Sequence, residues 1–178
     1  MSHAAFRTLA SLAVLALAPV ARAVPSITVE GFVGWQHLEL NAPAQQIGGA
    51  IGGSEGTAIF GVDGLLDLEG LGVGLAIDKT VSGNAQPWAG SIMVGFLPEI
   101  LMLRLELLGE IGRRARDFGD LFDSDGASFL GLRPGASVRL AVLPLRIGGN
   151  VLLRWPTSNG DIGSPDFGFI GKVGFEFP

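Results

Sequence analysis

Apolar and polar residues alternate one by one over long stretches of this chain. From position 101 the odd residues are Leu101, Leu103, Leu105, Leu107, Gly109 and Ile111, with Arg104, Glu106 and Glu110 between them. From position 145 they are Leu145, Ile147, Gly149, Val151, Leu153 and Trp155, against Arg146, Asn150 and Arg154. From position 167 they are Phe167, Phe169, Gly171, Val173, Phe175 and Phe177, against Lys172 and Glu176. Successive side chains of a strand point to opposite faces, so each stretch carries one apolar and one charged face.

The same period of two predicts eight strands, at about 26–38, 57–68, 71–78, 90–97, 100–112, 128–140, 145–155 and 167–177. Tight turns at Glu69-Gly70, Leu97-Pro98-Glu99 and Leu143-Pro144 alternate with the longer polar segments 41–56, 79–88, 113–127 and 156–166. An even strand count, with every long connection at one end, predicts an all-β fold: an antiparallel up-and-down transmembrane barrel. The stretch from Ile100 to Arg114 is rich in Leu, Glu and Arg, which also favour helix. A helix would put Arg104 in its apolar face, whereas a strand misplaces no charge.

The charged set predicts an interior. Its acids are Glu30, Asp63, Asp67, Asp78, Glu106, Glu110 and Glu176; its bases are Arg104, Arg133, Arg139, Arg146, Arg154 and Lys172. Near-balance is what an enclosed space requires, because buried charge must be paired. Acids dominate the first three strands and bases the last three, so pairs are expected to reach across the lumen. A soluble lipocalin-like barrel, with its apolar face inward around a ligand, is the competing architecture. Against it, only 16% of residues are charged, where soluble domains average about 25%.

Residues 1–23 bring in a second signal. Arg7 precedes an apolar run from Leu9 to Val20 and the triplet Ala21-Arg22-Ala23, the pattern of a secretory signal peptide with an A-x-A cleavage site. The run is too short for ~30 Å of hydrocarbon. The mature barrel is therefore expected to span 24–178. Without Arg7 and Arg22 the 12 basic residues fall to 10 against 17 acidic, a net charge near −7. That balance argues against nucleic-acid binding, which needs a basic patch. The chain has no cysteine, hence no disulfide framework or thiolate metal site, and no cofactor is expected.

With its signal peptide, strand rhythm and final strand, the chain resembles the small eight-stranded outer-membrane barrel proteins, the class of outer-membrane proteins A and X. The resemblance is architectural and covers the mature region. It implies a bacterial outer-membrane location and contact with outer-membrane lipid. In that class the last strand signals to the barrel-assembly machinery, a role that would fall here to Phe169, Val173, Phe175 and Phe177. Pro178 after Phe177 and the complete absence of Tyr depart from the class pattern. Trp35, Trp88, Trp155, Phe129 and Phe167 at the loop ends, with Phe96, Phe175 and Phe177 at the turn ends, are expected to form the aromatic girdles.

Other motifs are weaker. Asp117, Asp120, Asp123 and Asp125 precede Gly126 in the manner of a calcium loop, but its bidentate Glu is missing, so a solvated acidic loop is expected. His37, with Glu39 and Ser54 or Ser128, has the residue types of a lipid-modifying hydrolase without any supporting spacing. The Gly-rich segment from Ile47 to Gly53 lacks the Lys of a phosphate loop and is expected to be a surface loop.

Eight strands enclose an interior just wide enough to be filled by side chains. The expected function is thus structural or surface-interacting, with a lumen plugged by charge and an extracellular ligand at the loops as a candidate partner. A small pore or transport barrel is the alternative. Arginine at position 105 should face lipid, and arginine at position 108 the interior, where milder effects are expected.

Overall fold

The structure is a computed structural model that describes residues 25–40, 53–81, 86–122, 127–141, 143–158 and 161–178. The segment assigned to the signal peptide lies outside these residues. Eight long strands are present: β1 (Ser26–Leu40), β2 (Gly53–Leu68), β3 (Leu71–Thr80), β4 (Trp88–Phe96), β5 (Leu103–Ala115), β6 (Ala127–Arg139), β7 (Leu145–Ser158) and β8 (Asp166–Phe177). Each pairs antiparallel with the next, and β8 also pairs with β1 from Ile27↔Phe177 to His37↔Phe167. The sheet is therefore a closed up-and-down barrel, as the alternation predicts.

The ladder fixes the geometry of closure. Traced through paired residues from Ile27 to Leu66, Val73, Val94, Gly109, Leu132, Leu153 and Phe167, it returns to β1 at His37, ten residues further along. Such a stagger requires strands tilted by roughly 35–45° to the barrel axis. Every residue on this path lies on the same, outer, face.

Chain ends and turns gather at one end. β2 and β3 meet at Glu69 and Gly70, whose φ values of 59° and 92° are the two positive values that a two-residue hairpin turn needs. The connection after β4 is longer than the expected Leu97-Pro98-Glu99 turn. Leu97 turns inward, fully buried, and its N–H donates to Gly70 O at 2.7 Å. Glu99–Ile100 then fold back on Leu103–Arg104. β5 consequently begins at Leu103 rather than at 100, and its strand character over Leu103–Ala115 settles the choice against helix. β2 starts earlier than expected because its ladder with β1 runs to Leu40↔Gly53. β7 runs on to Ser158 because Thr157 and Ser158 pair with Asp161–Ile162.

The faces separate as the period of two requires. Val33, Leu75, Ile92, Phe96 and Ile111 stand on the outer wall, 62% to 68% exposed, while Glu30, Arg104, Arg146 and Arg154 are at most 1% exposed. A lipocalin-like barrel needs the reverse arrangement.

Closure leaves no room for a side chain at three glycines of the seam, Gly34, Gly168 and Gly174, and Gly34 is the tightest. A Cβ on Gly34 of β1 would lie 1.9 Å from the carbonyl oxygen of Phe169 and 2.8 Å from Ile170 Cα, both on β8. Backbone cannot yield by that much without breaking the ladder. Gly34→Val is expected to prevent closure, read as loss of the folded, heat-modifiable band on an unheated denaturing gel. Gly31→Val, where a Cβ meets nothing within 4 Å, should fold normally.

Candidate functional site

The interior is built from the inward positions of all eight strands, and its ion pairs form layers along the axis. At the turn end, Arg146 on β7 donates through Nε to Glu176 on β8 (2.8 Å) and through Nη2 to Glu99 (2.5 Å). Ser26 at the start of β1 also bonds Glu176, at 3.1 Å. In the middle, Lys172 Nζ donates to Glu30 on β1 and Glu106 on β5, both at 2.6 Å. Arg104 joins the same two acids, 3.6 Å from Glu30 and 3.3 Å from Glu106, and donates to Thr28. Ser137 and Asn150 complete the shell around Glu106 at 2.8 and 3.0 Å.

Further toward the loops the pairs cross the lumen. Arg133 on β6 meets Asp63 on β2 at 2.5 Å and approaches Glu110 on β5 at 3.7 Å. Arg154 on β7 takes Asp78 on β3 with both Nη atoms (3.1 and 2.7 Å) and Glu110 with Nε (2.9 Å). Forked guanidinium–carboxylate contacts of this kind are the strong ones, fixing direction as well as charge. The network binds β1, β2, β3 and β8 to β5, β6 and β7 through the interior.

Of the thirteen charged residues assigned to the lumen from the sequence, two stand apart. Asp67 is buried, but its Oδ1 accepts the Gly70 N–H at 2.7 Å, so it caps the β2–β3 turn. Arg139 lies at the rim: its side chain is 40% exposed and 3.9 Å from Glu99. β6 ends there, and inward parity no longer means enclosure.

Some interior residues escaped sequence reasoning. Arg114 and Asp166 form a 2.5 Å pair at the loop end, although both fell within the expected long connections. The parity of β5 and β8, extended by two residues and by one, would have found them. Phe129, expected in a girdle, is 2% exposed and faces inward, its ring 4.9 Å from the Arg154 guanidinium carbon and 5.6 Å from that of Arg114. Phe32 stacks on Arg133 in the same way at 4.9 Å. Desolvated guanidinium groups gain from such ring faces. Two apolar clusters share the lumen: Leu65, Ala76, Met93, Leu97 and Leu108; and Phe32, Ile59, Leu152 and Ile170. Leu108 thus sits in packed apolar surroundings, so arginine there is not the milder change that parity alone suggests.

The remaining candidates do not converge on a site. Asp117 and Asp120 lie around a short 3₁₀ turn (Gly119–Phe122), Asp123 and Asp125 fall outside the described residues, and no metal-holding cluster occurs among those described. His37 stands on β1 beside Trp35, with ring centroids 6.0 Å apart. Ser128 is exposed on β6, separated from β1 around the barrel by β7 and β8. The side chains of Glu39 and Ser54 are outside the description, as is the Gly-rich segment apart from Gly53, which opens β2. Phe169, Val173, Phe175 and Phe177 all face outward from β8, about half exposed.

Comparison with solved structures finds the crystal structure of Neisserial surface protein A, with a TM-score of 0.55 and 12% identity, over 85% of this chain and 97% of that one. At that identity the likeness is one of fold: this chain shares the closed eight-stranded barrel architecture of that protein. No protein-family model matches, and no curated protein does.

Removing one member of the central cluster strands the others in a dry interior. Lys172→Met, which leaves Glu30 and Glu106 with Arg104 as their one shared cation among the described residues, should cost about 3–5 kcal/mol. Adding Glu30→Gln alone, which leaves Arg104 paired with Glu106 at 3.3 Å, should recover much of that loss. Urea unfolding in detergent micelles, followed by tryptophan fluorescence, would measure both.

Proposed function

We propose that this chain is an integral barrel of the bacterial outer membrane with a closed interior and a structural or surface-interaction role. One observation carries the reading: charge is inside and an apolar surface is outside. The outer wall from Ile27 to Phe177 presents Val, Ile, Leu and Phe at alternate positions of every strand. Water makes that surface costly and lipid does not. Closure supports it too, since a ladder without edges leaves no backbone group unpaired in hydrocarbon.

Delivery fits the same placement. Residues 1–23 would direct export, and the outward Phe169, Val173, Phe175 and Phe177 of β8 would be read by the barrel-assembly machinery before that strand seals against β1. The loop end is then extracellular and is where a partner would dock. A pore is disfavoured because the ion pairs, the two apolar clusters, Phe32 and Phe129 together occupy the lumen. The protein should fractionate with the outer membrane and give no large, stable conductance steps in planar bilayers. Leu105→Arg puts a charge on the outer wall and should lower membrane stability by about 2–4 kcal/mol. A soluble barrel would tolerate or even welcome that substitution, and recovery from the soluble periplasmic fraction would sink the proposal.

A further inference from the structure

Charge on the described part of the outer wall is confined to one place. Among the described outward-facing positions of the eight long strands only Lys79 on β3 and Arg113 on β5 carry charge, and both are cationic. They flank β4 at its loop end. Lys79 pairs in register with Trp88 and lies over its ring at 4.5 Å, while Arg113 pairs with Gly90.

A groove of about 560 Å³ opens beside Arg113 on the outer wall, lined by Ile77, Gly90, Ile92, Ile111, Arg113 and Leu121, with Lys79 two residues beyond Ile77 on β3. Gly90 makes the space: a Cβ there would first meet Leu121 Cδ1, at 3.7 Å. Leu121 comes from the 3₁₀ turn of the third long loop and is buried in this position. Trp88 and Phe118 meet edge to face, 5.2 Å apart, where an aromatic belt is expected. Toward the turn end the same three strands are wholly apolar on this side, with Leu75, Ile92 and Ile111 in one row and Val73 and Val94 in the next.

We propose that this groove holds an anionic, phosphate-bearing lipid, its head group between Lys79 and Arg113 and an acyl chain along Ile92 and Ile111. The order of chemistry along the wall is that of such a lipid: positive charge and indole at the interface, then a recess, then a hydrocarbon-compatible surface. Charge selects the occupant. Asp117 and Asp120 belong to the loop above, whereas the two charges at the described outward positions flanking β4 are both positive. A neutral lipid would gain from the recess but nothing from the pair, and a free phosphate would gain from the pair but nothing from the recess. The site rests on the membrane placement proposed above.

The test uses the mature barrel in non-ionic detergent, incubated with phosphatidylglycerol or phosphatidylcholine of identical chains and examined by native mass spectrometry. Wild type should retain one phosphatidylglycerol under conditions that strip phosphatidylcholine. Lys79→Gln with Arg113→Gln should lower that retention by about tenfold or more, since each cation near an anionic lipid contributes. Gly90→Leu, which fills the recess, should reduce retention of phosphatidylglycerol although both cations remain. Heat-modifiable mobility reports folding of every variant independently, and Arg113→Lys, which keeps the charge, should retain the lipid if the double variant fails to fold. Equal retention of the two lipids by wild type, or undiminished phosphatidylglycerol on the double variant, would overturn the site. Failure of the membrane placement would show separately, as wild-type protein that is soluble without detergent.

Discussion

Closure of the hydrogen-bonded ladder is the constraint on which the rest of this structure depends. Eight strands joined with a ten-residue stagger make a tube whose width is fixed by backbone geometry, not by the side chains within. Whatever points inward must fit that tube and satisfy its own polar groups there. Whatever points outward is left to the surroundings. A strand offers one residue to each side in turn, so the two demands fall on alternate positions and the sequence acquires its period of two. Gly34 shows how tight the bargain is at the seam, where β1 approaches the β8 backbone too closely for a methyl group.

Within the tube, charge and apolar packing divide the work. Burying an ion pair is expensive, and a well-packed apolar substitute is often as stable, so stability alone does not explain Lys172 with Glu30 and Glu106. The network does distinguish registers. A one-residue slip of β5 would turn Arg104, Glu106 and Glu110 onto the outer wall and Leu105 and Leu107 into the lumen. An interior built only from residues like Leu65, Met93 and Leu108 would resist such a slip far less, because both faces of the strand would then be apolar. The charges therefore act on specificity, while Phe32 and Phe129 let the guanidinium groups lie dry against ring faces.

How much of this could be read from the chain follows from what periodicity encodes. Parity tells which side of the sheet a residue takes, so the barrel, its inward acids and bases, and the strand nature of Leu103–Ala115 were all legible. Parity says nothing about height along the axis, because height depends on register and stagger, which no single strand contains. The partner of Arg154 could be narrowed to an acid on the opposite wall, but not to Asp78 with Glu110. Strand ends were the other blind spot. Arg114 and Asp166 lie where loop-like composition takes over, although the ladder continues beneath it. Phe129 lies within the expected sixth strand and shares the inward parity of Arg133, so a place in a girdle goes against the period itself. Arg139 is the converse case, inward by parity yet at the rim because β6 has run out. Leu97 combines both problems: only its position after β4, folded back beneath Gly70, makes it interior.

The two ends of the barrel are consequently different objects. At the turn end, Ser26, Glu176, Arg146 and Glu99 link β1, β8, β7 and the segment before β5 in one chain of contacts, so the point where the chain enters the barrel is fastened to the point where it leaves. Formation of that chain requires β8 to be in place, which makes it a lock on a closed barrel and not a step toward one. At the loop end, Arg114 and Asp166 join β5 to β8 across the mouth without involving either terminus. β8 therefore carries a tie at every level, Asp166 at the mouth, Lys172 in the middle and Glu176 at the turn end, so the strand that closes the barrel is also held in register by the interior charges.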